Sequence, residues 1–198
     1  MNSKTARLQA EYDRQVKDVG ASLLAASEKI GGPAVFLFCG VRANHGTTTI
    51  ASAVSRAVAE SGPRTVLATA DPPGDETPPV PSHSLREVVE SGGTIGFGDS
   101  AWTRLIVPRQ FLELPEPARD PRTWLTTFDL LIVDSPPLAE FSTRYWVPRA
   151  HGVVLVVDGE KAGVGAVLQA RDDVVHLGGT LTGVVLNRYR SRVPRHLR

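Results

Sequence analysis

The chain has one cysteine, few aromatic residues, almost no net charge and no long apolar run. Each scarcity removes a class of protein. A single thiol, Cys39, forms no internal disulfide, which excludes a disulfide-stapled fold and fits a reducing compartment. A formal net charge of +1 argues against a general polyanion binder, so nucleic acid is not an expected partner. No apolar stretch approaches the roughly 20 residues of a membrane-spanning helix. Met1-Asn2-Ser3-Lys4-Thr5 is not followed by a signal-peptide core. A cytoplasmic protein is the expectation. What is present suits it: 198 residues, 41% of them hydrophobic and 22% charged, are enough for one domain with a real core.

Leu8, Tyr12, Val16, Val19, Leu23 and Ile30 recur at helical spacing, which predicts an amphipathic helix over residues 4–30. Gly31-Gly32-Pro33 stops it. Strands then alternate with helices. Strands are predicted at 34–39, 64–69, 104–107, 129–134, 152–158 and 181–186, and helices at 47–61, 83–91, 121–127, 138–148 and 162–177. Runs such as Leu130-Leu131-Ile132-Val133 and Val153-Val154-Leu155-Val156-Val157 are apolar throughout, as in a parallel sheet covered on both faces. The pattern is that of a doubly wound α/β domain, whose ligands bind at the C-terminal strand ends. Three parts are expected: an N-terminal helix (1–30), an α/β domain (31–190) and a basic tail (191–198). The proline-rich run from Asp71 to Pro81 is a long loop at a strand end, a usual place for function.

One of those strand ends carries a further absence. After the strand Ala34–Cys39 come Gly40-Val41-Arg42-Ala43-Asn44-His45-Gly46-Thr47-Thr48-Thr49, then a helix. Strand, glycine-bounded loop, Gly-Thr-Thr-Thr and helix is the layout of a P-loop. The lysine that normally follows the last glycine is Thr47. Gly46 allows close backbone approach to a phosphate, Thr48 offers a hydroxyl to Mg²⁺, and Asn44 tolerates a left-handed turn. Arg42 is the only permanently charged base in the loop, and His45 is mostly neutral at pH 7. The same residues also suit a plain βα turn with a capped helix. A second element is Phe128-Asp129-Leu130-Leu131-Ile132-Val133-Asp134-Ser135-Pro136-Pro137, an apolar strand ending in Asp, as in a Walker B site. Asp134 could instead cap the next helix. Asp71 ends another strand. Asn187 ends a late one, where its amide can pair with an adenine edge.

Taken together and in this order, these segments resemble the cytoplasmic domain of bacterial tyrosine autokinases of capsule and exopolysaccharide assembly, a branch of the Min/Par-type P-loop ATPases. Gly46-Thr47-Thr48-Thr49 is similar to the family's G-K-S-T. Thr69-Ala70-Asp71 is similar to D-A-D, and Phe128 to Pro137 to Y-D-x-I-I-I-D-T-P-P. Glu11, Arg14 and Lys17 resemble the E-x-x-R-x-x-R helix that mediates ring assembly. The resemblance implies ATP or ADP with Mg²⁺ as ligands, bound by residues 42 and 44–49 with Asn187. Thr48 and Asp134 would hold the metal, and Asp134 and Asp71 would serve catalysis. It also implies homo-oligomers and partnership with the cytoplasmic tail of a membrane polysaccharide copolymerase, which would make the protein peripheral at the inner membrane. The departures are Thr47 for the P-loop lysine, Thr69 for the first aspartate, Ala43-Asn44-His45 for the opening Pro-Gly-Glu, and no tyrosine cluster. Losing charges that stabilise phosphoryl transfer implies weak or no hydrolysis. An active tyrosine autokinase or ATPase is the alternative. A Min/Par-type positioning ATPase is a further one, disfavoured because the Lys-Gly-Gly loop and an amphipathic C-terminal helix are missing.

Overall fold

The computed structural model describes residues 3–70, 82–84, 88, 95–97, 100–107 and 128–188. Among these, seven strands form one sheet: β1 (Ala34–Gly40), β2 (Thr65–Ala70), β3 (Ser82–Ser84), β4 (Trp102–Val107), β5 (Leu130–Ser135), β6 (Gly152–Asp158) and β7 (Leu181–Asn187). The helices are α1 (Ser3–Glu28), α2 (Thr47–Glu60), α3 (Phe141–Trp146), continued by a 3-10 turn at Val147–Arg149, and α4 (Val164–His176). The strand order is β3-β4-β2-β5-β1-β6-β7, and every pairing is parallel. This is the expected doubly wound α/β architecture with an N-terminal helix.

The central strands β1, β2, β5 and β6 are buried from end to end, which is why their sequences are apolar runs and not alternating ones. Each face of the sheet carries its own core. Phe36, Phe38, Leu67 and Ile132 pack under α1 and α2, while Val35, Leu131, Val133, Trp146 and Val174 form the opposite layer. β1 lies between β5 and β6. The loop that leaves it therefore emerges where the order of strands reverses, the usual ligand crevice of such sheets.

Three sequence expectations are corrected. The helix expected from residue 83 begins instead as a strand, since Ser82–Ser84 pair with β4. Proline at 81 and upstream favours extended backbone, and a short polar strand suits a sheet edge. β4 starts at Trp102, so Arg104 lies inside it and not at its start. Leu8, expected on the packing stripe of α1, is exposed; the stripe that packs is Val16 and Leu23, with Tyr12 and Val19 half-buried. The expected helix at 121–127 and the basic tail lie outside the described residues.

Candidate functional site

The loop from Gly40 to Gly46 takes its shape from backbone constraints. Gly46 has φ +84° and caps α2 without any side-chain hydrogen bond. Asn44 is also left-handed, at φ +61°, as its residue type allowed. A Cβ on Gly46 would sit 2.3 Å from Asn187 Nδ2, and one on Gly40 would sit 2.6 Å from the Arg42 carbonyl. Gly40 is thus required by contact with backbone and Gly46 by its φ, with the Asn187 amide obliged to shift if a Cβ were added. The first N–H groups of α2 receive no side-chain cap, so they remain donors at the positive end of a helix dipole. Thr47 and Thr48 stand in that first turn, Thr47 half-buried beside Gly40, Thr48 and Thr49 exposed. Arg42 is exposed on the loop.

One side of the loop is clamped by β6 and β7. Asn187 Nδ2 donates to the His45 carbonyl at 2.9 Å, and the next residue, Arg188, donates to the Asn44 carbonyl at 3.2 Å. Arg188 also pairs with Asp158 at 3.0 Å. Asp158 is inaccessible to solvent, accepts the Glu160 N–H and lies 3.7 Å from Lys161. Burial pushes its carboxyl up, but the Glu160 N–H and the two cations outweigh burial and hold it below the ordinary range. His45 was expected among the phosphate contacts. Its ring is instead buried, with Nδ1–H donating to the Val156 carbonyl of β6 at 3.3 Å, so only its backbone serves the loop. Asn187 likewise spends donor capacity on the loop.

The other side is built by β2, β4 and β5. Asp134 is 3% exposed and accepts a hydrogen bond from the Thr48 hydroxyl, so the two expected metal-site residues do meet. It is no helix cap, for α3 is capped at Glu140. Thr69, in the place of the family's first aspartate, is the register partner of Asp134 on the neighbouring strand. Sequence reasoning missed Arg104. It projects from β4 on the same sheet face, donates to Thr69 Oγ1 at a long 3.4 Å, and acts on Asp134 through its charge. Its Nε is buried with no hydrogen-bond partner among the described residues. Burial raises Asp134 to a pKa of about 6, against the opposing pull of Thr48 and Arg104. The signal available in the sequence was a lone arginine inside the apolar run Trp102–Val107. Asp71 lies outside the described residues.

A divalent cation fits these residues poorly. Mg²⁺ favours carboxylate oxygens and water. Here Asp134 is the only carboxylate at the site among the described residues, Thr69 stands beside it on the neighbouring strand, and the Arg104 guanidinium competes with a metal for Asp134. Among the described residues no group of three or more His, Cys, Asp or Glu is arranged to hold a metal. A phosphate fits better, because the loop offers backbone donors, a helix terminus and close approach at glycine.

The fold and this loop define the class: a P-loop-type α/β domain. Its structural neighbours include bacterial tyrosine kinase domains. The BceF tyrosine kinase domain superposes with a TM-score of 0.69 at 18% identity, over 88% of this chain and 76% of that one. The VpsO kinase domain gives 0.64 at 16% identity, over 96% and 100%. Cobyrinic acid a,c-diamide synthase from Mycobacterium smegmatis, solved with an ATP analogue and magnesium, gives 0.58 at 22% identity, over 81% and 77%. At these identities the likeness shows a shared fold, and the same fold carries more than one activity. No protein-family model matches the chain, nor does any curated protein. No helix among the described residues is long and apolar enough to cross a membrane.

Glu11, Arg14 and Lys17 are all exposed along α1, and no ion pair among the described residues engages them.

Proposed function

We propose that the chain is a catalytically weak or silent relative of the bacterial tyrosine autokinase domains. It would act in exopolysaccharide or capsule assembly by binding the cytoplasmic tail of a membrane polysaccharide copolymerase. The observation that carries the reading is a phosphate cradle whose backbone is preserved while its chemistry is dismantled. Gly46, Asn44 and the uncapped end of α2 keep the geometry, whereas Thr47 and Thr69 stand where a cation and a carboxylate would act. Binding a phosphate needs donors and shape. Transferring one needs charge placed where it develops in the transition state. The first set is here and the second is depleted.

The test is steady-state ATP turnover by the purified chain with magnesium. No phosphate release above blank is expected. Turnover abolished by Asp134→Asn would instead favour an active ATPase or autokinase. The assembly role is tested separately. The row Glu11, Arg14 and Lys17, spaced three apart on an exposed helix, sets one acid beside two bases, a polarity that suits a head-to-tail contact. Light scattering should show oligomers of the wild type, with or without the copolymerase tail, and monomers of Arg14→Glu/Lys17→Glu. Monomers under every condition would remove the assembly role.

A further inference from the structure

Arg104 is the one feature of the site that the family resemblance leaves unused. A guanidinium inside a sheet is costly unless something compensates it. Here the compensation comes from Asp134, two strands away across β2, and from Thr69 between them. All three lie on the sheet face that carries α2, and Thr48 of α2 reaches Asp134 from above. The arginine therefore stands in the same compartment as the carboxylate on which a magnesium ion would depend. A dication there would meet a like charge, with Asp134 the only carboxylate among the described residues to offset both. Arg104 also keeps a buried Nε–H with no acceptor among the described residues, and a buried unpaired donor is costly. The side chain is only half-buried, so the rest of its fork is open to a ligand, and the planar guanidinium suits phosphate better than an ammonium does.

We infer that Arg104 serves as the resident cation of this site, so that the chain takes a nucleoside di- or triphosphate without a divalent metal, an inference that rests on the nucleotide reading proposed above. Thr47 and Thr69 are then coherent changes. The lysine is dispensable once a cation enters from β4, and a carboxylate at position 69 is not needed where there is no metal to hold.

The experiment is calorimetric titration of ADP and of ATP into the full chain, in EDTA and in millimolar magnesium. Wild type should bind equally in both, within about twofold. Arg104→Met should weaken binding in EDTA at least tenfold, and Arg104→Lys, which keeps the charge but not the fork, should fall between. Circular dichroism and urea unfolding establish that each variant is folded; if Arg104→Met is not, the lysine variant and the wild-type metal comparison decide. Binding that strengthens tenfold or more with magnesium overturns the resident cation while leaving the nucleotide reading intact. So does unchanged affinity in folded Arg104→Met. No binding of either nucleotide in any arm overturns both.

Discussion

The two strands that flank β1 each carry a buried aspartate at the C-terminal end, and the two carboxylates live in opposite conditions. Asp158 is the last residue of β6 and Asp134 the last but one of β5. Asp158 has a backbone N–H and two cations, and its pKa is held low. Asp134 has one hydroxyl and one distant-strand arginine, and burial wins, raising it to about 6. A buried carboxylate with its partners in place is architecture: it fixes the half-exposed Arg188, which donates to the Asn44 carbonyl and so holds the loop. An under-satisfied buried carboxylate persists at a cost to stability, and such groups gather at functional sites. The β6–β7 side of the loop is tied down by satisfied contacts, while the β5 side holds a carboxylate that burial disfavours.

The largest effect should come from breaking the clamp. Gly46→Ala forces a left-handed alanine and drives its Cβ into Asn187 Nδ2. Together these should cost about 3 kcal/mol in urea unfolding. A loss below about 1 kcal/mol would mean that the loop is not held as described. Asn187→Ala alone removes a hydrogen bond and should cost about 1 kcal/mol. In the double variant the clash is gone, so the penalty of Gly46→Ala should shrink; strict additivity would separate the two residues.

The opposite side should respond with the opposite sign. The Asp134 carboxyl is raised from 3.8 to about 6 in the fold. Its ionisation therefore weakens the fold as pH rises from about 4 to about 6, and the cost is fully present at pH 7.5. Asp134→Asn removes it but leaves Arg104 without its counter-charge. A net gain of about 1 kcal/mol at pH 7.5, absent at pH 4.5, is the expected outcome by urea unfolding at both pH values. A loss at pH 7.5 would show that Asp134 is as well compensated as Asp158. The smallest effect is Thr47→Lys. Restoring a cation beside the phosphates should tighten ATP binding by about fivefold, the scale of one charge-assisted hydrogen bond in partly solvated surroundings. No gain in a folded variant would count against placing the phosphates over α2.

Much of the architecture could be read from the sequence because parallel sheets write themselves as apolar runs. β1, β5 and β6 are unbroken hydrophobic segments, and Gly-Pro punctuation marks their neighbours. The loop was legible for the same reason: Gly46 and Asn44 are residue types that permit the left-handed turns they adopt. Side-chain partnerships between distant strands were not legible. Arg104 stood at the expected start of β4, where a charge is unremarkable, and became significant only when the strand proved to begin at Trp102. His45 looked like a loop residue facing ligand, but nothing local revealed that its ring would turn inward onto β6. Asp158 repeats the apolar-strand-then-Asp pattern of Asp134, so the pattern alone could not tell a structural carboxylate from a functional one. The two differ in their partners, and Thr48, Arg104 and Arg188 come from other elements and leave no mark in the local sequence.

The most direct test asks what happens to a nucleotide that the loop holds. The purified chain is incubated with ATP labelled on its γ-phosphate, with magnesium present, and the bound nucleotide is recovered after a day and identified. If the cradle survives without its catalytic charges, the protein will carry intact ATP, and Asp134→Asn will give the same recovery. Recovery of ADP with released phosphate, abolished in Asp134→Asn, would contradict the silent site and make the chain a working ATPase.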